Sequence, residues 1–72
     1  MAKITLEAAR RNKGLTQAGL AEEMGVSRST VIDWENGKRA MRTAYLHLFC
    51  SIVGLTEDDI LLPEITTLSS EV

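Results

Sequence analysis

One histidine and one cysteine, residue types that bind metal ions or act as nucleophiles, lie in one short segment of this chain. His47 and Cys50 stand three positions apart, so they would share one face of a helix. The chain has no second histidine or cysteine, whereas structural zinc takes four ligands. Cys50 also continues an apolar series formed by Leu46, Phe49 and Val53. We therefore interpret Cys50 as a core residue and expect no metal site.

Other signatures of catalysis are missing from the sequence. It contains no glycine-rich phosphate loop, no recognisable pair of catalytic carboxylates and no nucleophile elbow. We therefore expect no enzymatic activity, no cofactor and no small-molecule ligand.

The charged side chains are divided unevenly between the two parts of the chain. Residues 1–42 hold all eight Lys and Arg residues and five acids, a net charge of +3. Residues 43–72 hold five acids and no Lys or Arg, a net charge of −5. The overall charge of −2 would by itself argue against a nucleic-acid partner. The division indicates an interaction surface in the basic part, although chance in so short a chain remains an alternative.

The elements that position these side chains are predicted to be helices, because the apolar spacing is helical and no stretch alternates like a strand. Seventy-two residues make one small domain. A single cysteine forms no internal disulfide, and no apolar run is long enough for a signal peptide or a membrane span. We therefore expect a cytoplasmic, all-α domain over residues 1–62. The five predicted helices cover residues 5–13, 16–24, 27–36, 42–53 and 56–62.

The remaining residues, 63–72, are polar and uncapped. We expect them to form a flexible tail, in which Ile65 and Leu68 could add a minor dimer contact.

The second and third predicted helices are separated by a short turn that contains Gly25. Two short helices joined in this way form a helix-turn-helix, whose second helix lies in the major groove of DNA while the first crosses the backbone. Thr16 and Ser27 are good N-caps for the two helices, and amides left free at such N-termini bind phosphate. The predicted corner between the helices is filled by Leu20, Ala21, Val26 and Val31.

The segment "GLTQAGLAEEMGVSRSTVIDWENGKR" (residues 14–39) resembles the helix-turn-helix of the lambda-repressor-like family, the Cro and phage-repressor type. The resemblance extends from about Leu6 to Leu61 and implies a compact five-helix domain. The matching positions are Arg10, Leu15, Thr16, Gln17, Leu20, Ala21, Gly25, Val26, Ser27, Val31, Trp34, Glu35 and Gly37.

The resemblance also implies roles for individual residues. The side chains that would read base edges from the third helix are Ser27, Arg28, Ser29, Ile32 and Asp33. Those that would contact the DNA backbone are Gln17, Lys38, Arg39 and Arg42. Arg10 and Glu35 resemble a structural ion pair that ties the first helix to the end of the third.

Alternatives stay open for several of these residues. Arg28 would otherwise be an ordinary solvated side chain, and Lys38, Arg39 and Arg42 would form a solvated loop. Ser29 and Asp33 are short polar side chains that need no role on an exposed face. Ile32 would either meet a thymine methyl group or pack on its neighbours.

Three positions depart from the family pattern. Gly19 stands where an acid commonly completes a capping box with Thr16, and glycine costs roughly 1 kcal/mol of helix propensity. Met41 replaces a frequent proline. Asp33 stands where a basic or amide side chain is more usual; phosphates repel an acid, but it accepts a hydrogen bond from a cytosine amino group.

The resemblance implies that the chain binds double-stranded DNA as a transcriptional regulator, and we expect a repressor. Because one recognition helix reads about half of a site, we expect a homodimer on a pseudo-palindromic operator. The alternative is a protein-interaction module, in which the acidic residues 43–72 bind a basic protein on a helix-turn-helix scaffold. The negative net charge and Asp33 favour this alternative, and binding of non-specific DNA at low salt distinguishes the two.

Overall fold

The computed structural model describes residues 3–65, which form four α-helices, one 3₁₀ turn and a pair of very short strands. Leu68, one of the two predicted tail contacts, lies outside the described residues. In chain order the elements are β1 (Ile4–Thr5), α1 (Leu6–Asn12), α2 (Gln17–Met24), α3 (Arg28–Asn36), α4 (Thr43–Val53), the 3₁₀ turn (Glu57–Asp59) and β2 (Ile60–Leu61).

Side-chain caps set the starts of α2 and α3, as the sequence predicts. The Thr16 hydroxyl accepts a hydrogen bond from the Gly19 amide at 2.9 Å. The Ser27 hydroxyl accepts one from the Thr30 amide at 3.2 Å. Each cap satisfies an amide that has no partner within its helix and stabilises that helix by about 1 kcal/mol.

The prediction of a fifth helix is wrong, and so is the prediction that the chain has no strand. Thr56 and Asp59 form a capping box, but the turn that they begin ends after one 3₁₀ turn. Pro63 disfavours helical geometry at the preceding residue, which leaves too few residues to repay helix nucleation. Instead, Ile60 pairs in parallel with Ile4, and the backbone groups find partners there.

The core lies between the four helices and β2. Trp34 from α3 is buried, and its ring contacts that of Tyr45 with centroids 5.2 Å apart. Tyr45 itself is 38% exposed, so it closes the edge of the core. The buried apolar residues are Leu6, Ala9, Leu20, Ala21, Met24, Val31, Trp34, Phe49, Cys50 and Ile60.

Candidate nucleic-acid interface

The turn between α2 and α3 has the geometry that a helix-turn-helix requires. Gly25 has a φ of +72°, a left-handed conformation that glycine adopts without a steric penalty. The Val26 amide then donates to the Ala21 carbonyl at 3.0 Å, and the Gly25 amide donates to Glu22 at 3.3 Å. This pair of hydrogen bonds closes the end of α2 and starts α3 close to it, with Ala21 buried in the corner.

The start of α3 presents a cation and a cluster of hydroxyl groups to solvent. Arg28 and Ser29 are exposed in its first turn. The Ser27 hydroxyl lies 3.1 Å from the Ser29 hydroxyl and 2.9 Å from that of Thr30. Ser27 is therefore engaged as a cap, whereas the Arg28 side chain is the long exposed group at this helix end. An arginine so placed has the donor geometry that recognises a guanine edge.

The other two predicted base-reading residues are less accessible. Ile32 and Asp33 are half-buried, one turn further along α3. The Asp33 carbonyl accepts hydrogen bonds from the amides of Lys38 at 2.9 Å and Arg39 at 3.3 Å. Asp33 thus anchors the base of the loop after α3, a role that the sequence did not indicate.

The loop between α3 and α4 places two arginines beside the start of α3. Arg39 and Arg42 are exposed and line an open groove of about 680 Å³, together with the Thr30 and Tyr45 side chains. Lys38 is also exposed in this loop. Guanidinium groups beside hydroxyl groups form a surface suited to bind phosphate oxygens.

Tyr45 also lines this groove, and sequence reasoning did not single it out. A signal was present. Tyrosine keeps its hydroxyl hydrated or hydrogen-bonded, and Tyr45 stands within the first turn of α4, one turn from Arg42.

Arg10, Glu35 and Gln17 form one hydrogen-bonded network between α1, α3 and α2. Arg10 Nε lies 2.7 Å from Glu35 Oε2, and the two side chains are only 7% and 5% exposed. Arg10 Nη1 also donates to the Leu15 carbonyl at 2.9 Å. Gln17 Nε2 donates to Glu35 Oε1 at 3.2 Å. The structure thus brings the predicted ion pair together and ties to it Gln17, which was predicted to face the DNA backbone.

His47 and Cys50 have separate surroundings despite their spacing. The exposed His47 ring contacts the Glu57 carboxylate. Cys50 is buried, and its burial raises the pKa of the thiol above the ordinary value, with a further contribution from the Glu57 and Asp59 charges. Within residues 3–65, no three His, Cys, Asp or Glu side chains converge as metal ligands.

The sequence predicts that the chain contains no membrane span. Across residues 3–65, no helix combines the length and the apolar character that crossing a bilayer requires.

Comparison with known proteins identifies the family. A family model described as helix-turn-helix matches residues 6–60, about three quarters of the chain. The chain therefore belongs to the helix-turn-helix family of the lambda-repressor and Cro type, a family of DNA-binding regulators. No curated protein and no solved structure gives a significant match.

Proposed function

We propose that this protein is a sequence-specific repressor of transcription that inserts α3 into the major groove of duplex DNA. The observation that carries this proposal is the exposed start of α3, where Arg28 and Ser29 lie beside the arginine-lined groove of the following loop. Groups that would read bases and groups that would bind phosphates therefore lie on neighbouring surfaces, and recognition of a DNA groove needs both.

The base-reading part of the proposal concerns Ser27, Arg28, Ser29, Ile32 and Asp33. Arg28 would make the main base contact, because its side chain is exposed and forms two parallel hydrogen bonds to a guanine. Ser29 and the half-buried Ile32 and Asp33 would contribute secondary contacts at neighbouring base pairs.

The phosphate-binding part concerns the loop residues Lys38, Arg39 and Arg42, with Gln17 at the start of α2. One amide hydrogen of Gln17 donates to Glu35, so we propose that its second amide hydrogen points toward a phosphate. Such contacts fix the register of α3 on the duplex without reading its sequence.

A homodimer would complete the operator site. One α3 helix covers about half of a recognition site, and two related helices read half-sites about 34 Å apart, one turn of the double helix. Selection of bound duplexes from a random pool tests this directly. We expect a palindromic consensus; a consensus of only four or five contiguous base pairs would contradict the dimer.

Arg28→Ala tests the base contact. We expect the binding free energy for the selected site to weaken by roughly 1–3 kcal/mol, with relaxed base preference at one base pair in each half-site. Lys13→Ala is the matched control, because it also removes one cation but lies in a different groove, with Ile4 and Val53. Equal losses in the two variants would show that only net charge matters and that the assigned reading face is wrong.

Lys38→Ala tests the phosphate contacts. We expect it to weaken binding to all duplexes similarly and to reduce the slope of log affinity against log salt by about one. An unchanged slope would remove Lys38 from the interface.

The rival function, binding of a basic protein by the acidic part of the chain, has one groove in its favour. Leu61, Leu62 and Glu64 of the acidic part line a cavity of about 370 Å³, together with Glu7 and Glu35 from the basic part of the chain. However, Glu7 and Glu35 are already paired with arginines of α1, so the groove carries less free negative charge than its composition implies. If the protein does not change the electrophoretic mobility of non-specific duplex DNA even at low salt, the result favours the rival function.

A further inference from the structure

The end of α3 is in close contact with the segment that follows β2. Gly37 is buried and has a φ of +76°, and the Glu64 carbonyl oxygen occupies the position that a β-carbon of residue 37 would need. The Pro63 β-carbon would lie 3.5 Å from the same position. Residues 63–64 therefore lie directly against Gly37, which ends α3 and leads into the loop that carries the predicted phosphate contacts.

The same segment continues alongside that loop. A small cavity of about 110 Å³ has Arg39 and Met41 on the loop side and Leu62 and Ile65 on the other, with Trp34 at its base. Across this cavity, the segment and the loop are separated by a space of only a few methyl groups.

The loop has a second support from α3. Amides of Lys38 and Arg39 both donate to the Asp33 carbonyl, which fixes the start of the loop but leaves residues 40–42 outside this pair of bonds. On the other side, Glu64 contacts Gly37, and Leu62 and Ile65 share a small cavity with Arg39 and Met41.

We propose that residues 62–65 are a positioning segment for the loop of residues 38–42. This inference rests on the proposed function. The segment holds the start of the loop and the Arg39 backbone where the side chains of the loop meet phosphates, and it contributes to DNA affinity without touching DNA. Loosening it weakens phosphate binding by the loop and leaves the base-reading start of α3 unchanged.

Two glycine substitutions in the full chain test the proposal. Gly37→Ala and Gly54→Ala place a methyl group at nearly identical backbone angles, φ +76° and +77°, so they share the same conformational penalty. Among the described residues, nothing lies within 4 Å of the added methyl group at Gly54. Only Gly37→Ala pushes the loop and the positioning segment apart.

The readout is the salt dependence of binding to a non-specific duplex, measured where circular dichroism shows each variant folded. We expect Gly54→Ala to keep the slope of the unmodified chain. Gly37→Ala should lower it by about one for each phosphate that the loop no longer reaches, which corresponds to about eightfold weaker binding at 0.1 M salt for each such phosphate. Equal slopes in the two variants would overturn the proposal.

A third variant keeps the test valid if Gly37→Ala does not fold. Pro63→Gly loosens the segment without adding a methyl group, and we expect it to lower the same slope. In the double variant Gly37→Ala/Pro63→Gly, the slope should be no lower than in the more affected single variant, because both substitutions remove the same support. An unchanged slope in Pro63→Gly, or strictly additive losses, would refute the inference. A chain that binds no duplex at any salt would instead refute the proposed function.

Discussion

Replacement of Arg10 by methionine gives the sharpest test of what holds the helix-turn-helix in place. Arg10→Met keeps the unbranched stem of the side chain but removes the guanidinium that makes three hydrogen bonds, two to Glu35 and one to the Leu15 carbonyl. The Glu35 carboxylate, 5% exposed, then retains the Gln17 amide as its donor from this network. A buried charge that loses its partner costs about 3–5 kcal/mol.

This cost is as large as the whole expected stability of the domain. A core of this size supplies roughly 3–5 kcal/mol, so we expect Arg10→Met to be largely unfolded at 25 °C. The double variant Arg10→Met/Glu35→Leu removes both charges. It leaves the Leu15 carbonyl and the Gln17 amide short of a partner, and we expect a smaller loss of about 1–2 kcal/mol.

Urea unfolding, followed by Trp34 fluorescence and by circular dichroism, measures these losses. Arg11→Met is the matched control, because Arg11 pairs with Glu7 on the surface of the same helix, with side chains 70% and 50% exposed. An exposed pair at this spacing contributes only about 0.3–0.5 kcal/mol. Similar losses in Arg10→Met and Arg11→Met, or a double variant less stable than Arg10→Met, would refute the reasoning.

Three further predictions concern other parts of the chain. Gly19→Glu should raise the free energy of unfolding by about 1 kcal/mol, because it completes a capping box. The new β-carbon would lie 3.1 Å from the Thr16 hydroxyl. A lower free energy of unfolding in urea would show that this contact cannot relax. Hydrogen bonds from the Thr56 amide and hydroxyl lower the pKa of Asp59. The ionised Asp59 therefore stabilises the fold above the ordinary carboxyl pKa, and this stabilisation is lost as pH falls through the lowered pKa. Asp59→Asn should reduce the acid sensitivity of unfolding, and an unchanged pH profile would contradict this. Cys50 is buried with a raised thiol pKa, so alkylation at neutral pH should require unfolding and be much slower than in urea. Rapid labelling of the folded chain would contradict its core placement.

Local signals allowed much of the fold to be predicted. Thr16, Ser27 and Gly25 act within a few residues of their own positions, through caps and a left-handed turn, so their roles are readable without the rest of the chain. The pairing of Ile4 with Ile60 joins strands of two residues each. Such strands are too short to show an alternating pattern, and this pairing was missed for that reason.

The sequence indicated the three exposed arginines of the candidate interface, but not which hydrogen bonds join its segments. Arg28, Arg39 and Arg42 stand at positions that the family resemblance assigns to DNA contact, and the structure places all three in the exposed part of the surface around α3. The contact of Gln17 with Glu35 and the anchoring of the loop by the Asp33 carbonyl depend on how distant segments meet. Spacing along the chain contains no information about either.

The parallel pairing of β1 with β2 has a consequence for the order of folding. The helices α2 and α3 are neighbours in sequence, whereas Ile4 meets Ile60 only after almost the entire described chain has been brought into a ring. Closing so large a ring is entropically unfavourable until the helices have shortened the path between its ends. We therefore expect the pairing of β1 with β2 to form late in folding and to open early in unfolding.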